Sequence, residues 1–572
     1  MSDRPHPVDG DHGRARARRE AQLLMVRVQT DLAGSTAAAR QLVATCDDHG
    51  WADAALLAEY VSLIASATGG DASAVAPGVA AVYRRAEQSD DPAALSLALA
   101  IRARMARQTD SVAASASVET DLARAVVLLE RGDGRAVERV SAHVECGLCF
   151  DQRHFWEMEV EQYEAALAID VIAEEPVMAD LGQGIAGDRW AINNNLAELQ
   201  SRWMCDRYLV ADHTSLADSA SEALQVIDEA RTSGLPPEWL PELDAVRVLV
   251  GGLAGHDVRR AADDAAERLE SGTPFHGAAV LGAALAWRSI DGDAAAVAVE
   301  VAVAELSASD LSVEHEVALL LAVELEADRQ GGPTAGLRLA RHEHRRRRGQ
   351  RSGGMRSMQA LLAAERFGAE RASLERDARI DELTRLANRR GYHRFLEQLE
   401  RSHDRPVAML VIDVDRFKAI NDRFGHEAGD RALRRVAGVI SGQARPDDLA
   451  ARMGGDEFVL ILDGARADTA TRRAEQIVGS LARAGRGSPA AEYPGAIAVS
   501  IGIAHGPADQ VEVLNRRADA ALYEAKSAGG GRVILSTIPV ATAVANATTV
   551  ANATGSGAPA PAPARSASSP GC

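Results

Sequence analysis

The amino-acid sequence predicts an all-α N-terminal domain followed by an α/β C-terminal domain. Three observations carry this. Apolar residues recur at helical spacing from about Glu20 to Ala340. Short Gly- and Pro-bearing breaks, such as "TGGD", "RGDGR", "SGLPP", "SGTP" and "QGGP", separate those segments. Strand-like apolar runs begin only beyond residue 381, where they alternate with helical stretches.

Bulk properties narrow the function. A chain of 572 residues that is 47% apolar is long enough for two or more domains with sizeable cores. A net charge of -19 argues against a nucleic-acid polymer as partner. It leaves room for a small nucleotide held by a metal. The polar N-terminus has no apolar core of a signal peptide, and no apolar run is long enough to span a bilayer, so a cytoplasmic protein is expected. Five cysteines in this length do not make a disulfide framework.

Residues 1–19 read as a disordered tail, and 20–340 as a helical sensory or partner-binding domain that could engage a protein. "DAALLAEYVSLIASA", "DPAALSLALAIRARMARQ" and "SASEALQVIDEARTSG" are amphipathic helices. All six tryptophans, Trp51 to Trp287, fall in this half. "EQYEAALAID" resembles the second helix of a tetratricopeptide unit, but no constant period supports it, so a solenoid and an irregular helical domain both stay open.

Residues 341–380 form a junction. "RHEHRRRRGQR" reads as a solvated basic stretch, with a patch for an anionic partner as the alternative. Met355, Met358, Leu362, Phe367 and Leu374 follow at heptad-like spacing. They predict a signalling helix that pairs with a second copy as a coiled coil. Residues 381–535 supply the strands "PVAMLVIDV", "LAARM", "EFVLILD" and "AIAVSIGIA" and their intervening helices. Residues 536–572 are an Ala/Pro/Ser/Thr-rich tail.

The chemistry concentrates in two places. In "VIDVDRFKAINDRFGHEAGD" an apolar strand ends in Asp413. A buried carboxylate there is costly unless it is solvated, paired or metal-bound, although it could also cap the next helix. In "ARMGGDEFVL" two strands flank Gly454 and Gly455, a hairpin tip whose bare backbone admits a polyphosphate. Asp456 and Glu457 beside it are hard oxygen ligands suited to Mg²⁺.

Together with "DELTRLANRRGY", "RPDDLAARMGGDEF", "VSIGIA" and "RRADAALYEAK", these motifs closely resemble the GGDEF family of diguanylate cyclases, over about residues 378–535. The resemblance implies a nucleotidyl-cyclase or palm-like fold with a mostly antiparallel sheet. It also implies condensation of two GTP into cyclic di-GMP with release of two pyrophosphates. It implies Mg²⁺ or Mn²⁺, two ions per site, on Asp413, the Val414 carbonyl, Asp456 and Glu457. Asp456 would activate the attacking hydroxyl, assisted by Glu457, and Lys418 would stabilise phosphoryl charge. Asn421, His426 and Asp430 would read the guanine. Gly454, Gly455 and Lys526 would take the phosphates. Catalysis would need a homodimer, since one domain holds one GTP. "RPDD" matches the family's inhibitory product site, so Arg445 and Asp448 are expected to bind cyclic di-GMP, a local turn with an ion pair being the plainer reading. One departure stands out. "AKSAGGGRV" has Gly530 where the family often has Arg, with Arg532 two residues on.

Two alternatives complete the reading. His143, Cys146, Cys149 and His154 in "HVECGLCFDQRHFW" could bind Zn²⁺ or act in redox chemistry, but cysteines three apart on one helix face also suit a core. A catalytically silent module that binds GTP or cyclic di-GMP is the second functional class, although Asp413, Lys418 and Asp456 are all present.

Overall fold

The computed structural model describes residues 7–28, 31–106, 115–174, 186–210, 213–307, 312–399, 405–483 and 496–537. The chain divides into two compact units, Met1–Gly368 and Ala369–Cys572.

Every regular element described in the first unit is helical. Sequence neighbours pack as pairs: Leu32–His49 on Ala52–Thr68, Ala136–Asp151 on Trp156–Ala168, and Pro274–Trp287 on Gly292–Leu306. Local chemistry sets the boundaries. Gly50 ends one helix in the left-handed conformation (φ 71°). Asp91 caps the next-but-two, accepting from the Ala93 amide at 2.9 Å, with Pro92 at the first helical position. The helix Pro92–Met105 is apolar almost all round and correspondingly buried. None of the helices described is long and apolar enough to cross a membrane.

The expected tail at residues 1–19 needs correction. Pro7–Arg27 is a helix. Ala17, Ala21 and Leu24, with Val28 just past its end, form a buried stripe at helical spacing. Arg18 is buried too. It donates to both Glu138 carboxylate oxygens, at 2.6 and 2.8 Å, and to Asp53 at 3.0 Å, while Arg14 donates to Asp53 at 2.8 Å. The segment looks polar because its arginines are the partners of buried acids rather than solvated charges. Residues 1–6, and the C-terminal tail beyond 537, lie outside the described residues.

Ala335–Asp377 is one long helix. Its basic stretch is not simply solvated. Arg351 donates to the His154 carbonyl and the Glu157 carboxylate, each at 2.5 Å, and Arg347 pairs with Glu316. The predicted coiled-coil seam is divided. Met358 and Leu362 are buried in the single chain, at 1% and 3% exposure, whereas Phe367 and Leu374 are exposed, at 68% and 63%.

The second unit carries a five-stranded sheet: β1 Pro406–Val414, β2 Leu449–Gly454, β3 Glu457–Asp463, β4 Val499–Pro507 and β5 Val533–Leu535, in the order β2-β3-β1-β4-β5. All pairs are antiparallel except β4–β5. Strand β5, three residues long, was not anticipated from sequence. Central β1 alternates between two cores. Ala408, Leu410, Ile412 and Val414 pack with residues of the His426–Ser441 and Ala467–Arg483 helices. Val407, Met409 and Val411 pack on the opposite layer, with Val511, Leu514 and Ala518 of the Val511–Ser527 helix. Gly502 allows that helix to lie close on β4, because a Cβ there would sit 2.1 Å from the Ala518 carbonyl.

Candidate active site

Asp413 continues the odd-numbered face of β1, so its side chain turns toward the layer of the Val511–Ser527 helix. Lys526 lies in the last turn of that helix, and its ammonium is 2.7 Å from the Asp413 carboxylate. Asp413 is 6% exposed. Burial pushes its carboxyl up, only partly opposed by Lys526, and the nearby Asp456 and Glu457 charges push it the same way. It does not cap the next helix, as the alternative reading allowed. That helix, Phe417–Phe424, starts after Arg416, which takes the left-handed conformation (φ 56°).

The hairpin between β2 and β3 reaches the same corner. Asp413 pairs with Glu457 in the β1–β3 register, and the Val414 amide donates to the Asp456 carbonyl at 3.2 Å. Gly454 and Gly455 hold φ of 147° and 56°, conformations that side chains disfavour. A Cβ on either would meet nothing within 4 Å, so the space above the tip is open. Sequence reasoning missed what holds this tip. Arg452 donates through Nε and Nη2 to the Gly455 carbonyl, at 3.1 and 2.8 Å, and through Nη1 to Asp381 at 3.1 Å. Partial burial pushes the Asp381 carboxyl up, but hydrogen bonds from Thr384 and Arg452 outweigh it and hold the carboxyl below its ordinary value. Asp381 begins the "DELT" motif, whose letters mark the family resemblance but do not by themselves point to Arg452.

The donor set suits a hard cation. The Asp413 carboxylate has the Asp456 and Glu457 charges close by at this corner, while the described residues hold no group of three or more His, Cys, Asp or Glu placed to grip a metal ion by themselves. That matches Mg²⁺, which takes one or two carboxylates and completes its shell with phosphate oxygens and water.

Asn421 and Asp430 are brought to the join of two helices at Gly425. Asn421 Oδ1 is buried with no hydrogen-bond partner among the described residues. Its space depends on Gly429, where a Cβ would lie 1.9 Å from that oxygen. A buried unpaired acceptor is unfavourable unless a ligand donates to it. Lys418 and His426 are exposed on the same pair of helices.

The Gly530 departure has a local explanation. The Asp415 carboxylate accepts from Ser500 Oγ and from the Gly531 amide, each at 2.7 Å. A Cβ at Gly530, whose φ is 76°, would lie 3.0 Å from that carboxylate. Arg532 folds back, donating to the Gly530 carbonyl at 3.3 Å.

Arg445 is exposed, but the Asp448 side chain is only 3% exposed. It accepts from the Arg445 amide at 2.9 Å, the Asp463 amide at 3.0 Å and Arg473 at 2.8 Å. The plainer turn reading of "RPDD" thus describes much of what Asp448 does, with Arg473 as its ionic partner.

The histidine–cysteine group in the first unit does not converge on a metal. Cys146 and Cys149 are fully buried, and burial pushes both thiols up, that of Cys149 to about 12. Cys149 donates to the Ala100 carbonyl and His143 meets Gln162 at 3.0 Å. The two cysteines are core residues, and Cys149 and His143 have their polar atoms engaged within the protein.

Residues 378–532 match the family described as "Diguanylate cyclase, GGDEF domain". Diguanylate cyclase DgcM of Escherichia coli K12 is 40% identical over 166 residues, 28% of this chain and 39% of that protein. Diguanylate cyclase TpbB of Pseudomonas aeruginosa UCBPP-PA14 is 40% identical over 170 residues, 29% of this chain and 39% of that protein. The chain therefore spans about two-fifths of the length of these curated relatives. A crystal structure of the coiled coil and GGDEF domain of DgcB from Caulobacter crescentus, in complex with c-di-GMP, is 34% identical with a TM-score of 0.29, covering 32% of this chain and 99% of that one.

Proposed function

Because residues 378–532 are a GGDEF domain, we propose that the chain is a diguanylate cyclase, joining two GTP into cyclic di-GMP and releasing two pyrophosphates. One observation carries the reading: Asp413, Asp456 and Lys526 gather at a single corner beside a hairpin tip made of two glycines. In each half-reaction the 3′-hydroxyl oxygen of one GTP bonds to the α-phosphorus of the other. The bond from that phosphorus to the bridging oxygen breaks, and the oxygen leaves with pyrophosphate. Asp456, assisted by Glu457, takes the hydroxyl proton. Mg²⁺ or Mn²⁺, two ions per site on Asp413, the Val414 carbonyl, Asp456 and Glu457, would supply neutralisation of the phosphate charge.

The rest of the site orients the substrate. Lys418 and Lys526 meet phosphate oxygens. Asn421 Oδ1 and Asp430 accept from the guanine N1–H and exocyclic amine, and His426 touches the same nucleotide. Adenine lacks that donor pair and would leave the buried Asn421 Oδ1 unpaired. One domain holds one GTP, so two copies must face each other across a two-fold axis. Catalysis is then chiefly positioning and charge stabilisation. The long helix Ala335–Asp377 would set that pairing, the helical unit would regulate it, and Arg445 with Asp448 would bind product as an inhibitor. The reaction draws on cytoplasmic GTP.

The test is direct. Full-length protein stripped of bound nucleotide is incubated with GTP and Mg²⁺, and products are separated by chromatography. Cyclic di-GMP and pyrophosphate in a 1:2 ratio are expected, and Asp456→Ala should abolish them with the fold intact. Nucleotide binding without product would leave a silent binding module instead.

A further inference from the structure

Lys526 reaches Asp413 from a helix end, as the penultimate residue of Val511–Ser527, and its side chain is 43% exposed. Helix ends fray unless their last carbonyls find donors. Here a run of glycines supplies the cap. Gly529, Gly530 and Gly531 hold φ of 108°, 76° and 65°. The Gly529 and Gly530 amides turn back to the Lys526 and Ala525 carbonyls, each at 3.0 Å. The Gly531 amide points elsewhere, to Asp415 Oδ2 at 2.7 Å. Asp415 Oδ1 accepts from Ser500 Oγ, also at 2.7 Å, and the Asp415 amide donates to the Ala498 carbonyl at 2.9 Å. Ser500 is fully buried on β4, opposite Asp413 in the β1–β4 register. Asp415 thus ties the turn beyond Lys526 to the sheet, next to the carboxylate that Lys526 meets.

We propose that Asp415 is a positioning residue for nucleotide binding. By holding the glycine turn it fixes the last turn of the helix, and with it the Lys526 ammonium. It acts as a hydrogen-bond acceptor and not as a ligand of the cation, since both its oxygens already meet donors. An asparagine would serve in its place, with Oδ1 accepting from Gly531 and Nδ2 donating to Ser500 Oγ. The inference rests on the cyclase reading, which puts Lys526 on the phosphates.

The probe is the α,β-methylene analogue of GTP, which cannot release pyrophosphate, titrated with Mg²⁺ into the full-length protein by calorimetry. Asp415→Ala is expected to raise its Kd about tenfold, the worth of one hydrogen bond to a charged group. Lys526→Met should raise it as much, and the double variant no further, because both remove the same contact. Asp415→Asn should restore most of the loss. If Asp415→Ala does not keep a cooperative melting curve, Gly530→Ala replaces it, since its methyl would lie 3.0 Å from the Asp415 carboxylate and push the turn away. The proposal is overturned if the folded variant binds like the parent protein, if Asp415→Asn is as weak as Lys526→Met, or if the losses add in the double variant. An analogue that does not bind the parent protein overturns the cyclase reading, and this inference with it.

Discussion

The ammonium of Lys526 lies 2.7 Å from the carboxylate of Asp413, bridging the last turn of a helix to the end of the central strand. This places a fixed positive charge where triphosphate and cation are proposed to meet. Lys526→Met should therefore raise the KM for GTP by about tenfold or more, the worth of one hydrogen bond to a charged group. Initial-rate kinetics with GTP varied at saturating Mg²⁺ measure it, and an unchanged KM would remove Lys526 from the phosphate site.

Asp413 itself should trade stability for activity. Its carboxyl is raised in the folded protein, so the folded state favours the protonated form. The sign follows: the stabilisation is complete below the ordinary carboxylate value and is lost as pH rises through the raised one. At neutral pH without metal, Asp413→Asn should melt higher than the parent protein. The gap should close as pH falls below the ordinary carboxylate value. Turnover should drop by at least about 100-fold, as expected for loss of an electrostatic stabiliser of the transition state. Thermal melts across pH and a product assay test both halves.

Arg452 reaches the Gly455 carbonyl and Asp381 with one planar fork. Arg452→Lys cannot span both partners. It should destabilise the second unit by about 2 kcal/mol and lower kcat more than it raises KM, since it loosens the hairpin that carries Asp456. Urea unfolding and steady-state rates on one preparation separate these effects.

Arg445 and Asp448 should not behave alike. Arg445→Ala should relieve product inhibition at little cost in stability. Asp448→Ala strips acceptors from two amides and Arg473, and should cost about 3 kcal/mol besides. Inhibition curves with added cyclic di-GMP, run beside urea melts, show whether the two substitutions diverge.

The C-terminal domain was legible because its chemistry is local in sequence. Strand β1 coincides with the quoted run "PVAMLVIDV", and the β2–β3 hairpin falls where Gly454 and Gly455 placed it. Short β5 escaped because three residues carry no period, and it forms by pairing with β4. The Asp381–Arg452 link joins residues 71 apart, so no short window contains it. The helical unit was legible as helices, but the Pro7–Arg27 helix was disguised by arginines whose partners lie up to 120 residues away.

Those arginines carry a practical warning. Trimming the chain at residue 20, where a polar leader looks expendable, would delete Arg14 and Arg18 and strand Glu138 and Asp53 in the interior with fewer counter-charges. A shortened protein of that kind would be prone to precipitate for reasons unrelated to its enzymology. A silent assay on it would say nothing about the proposed cyclase activity.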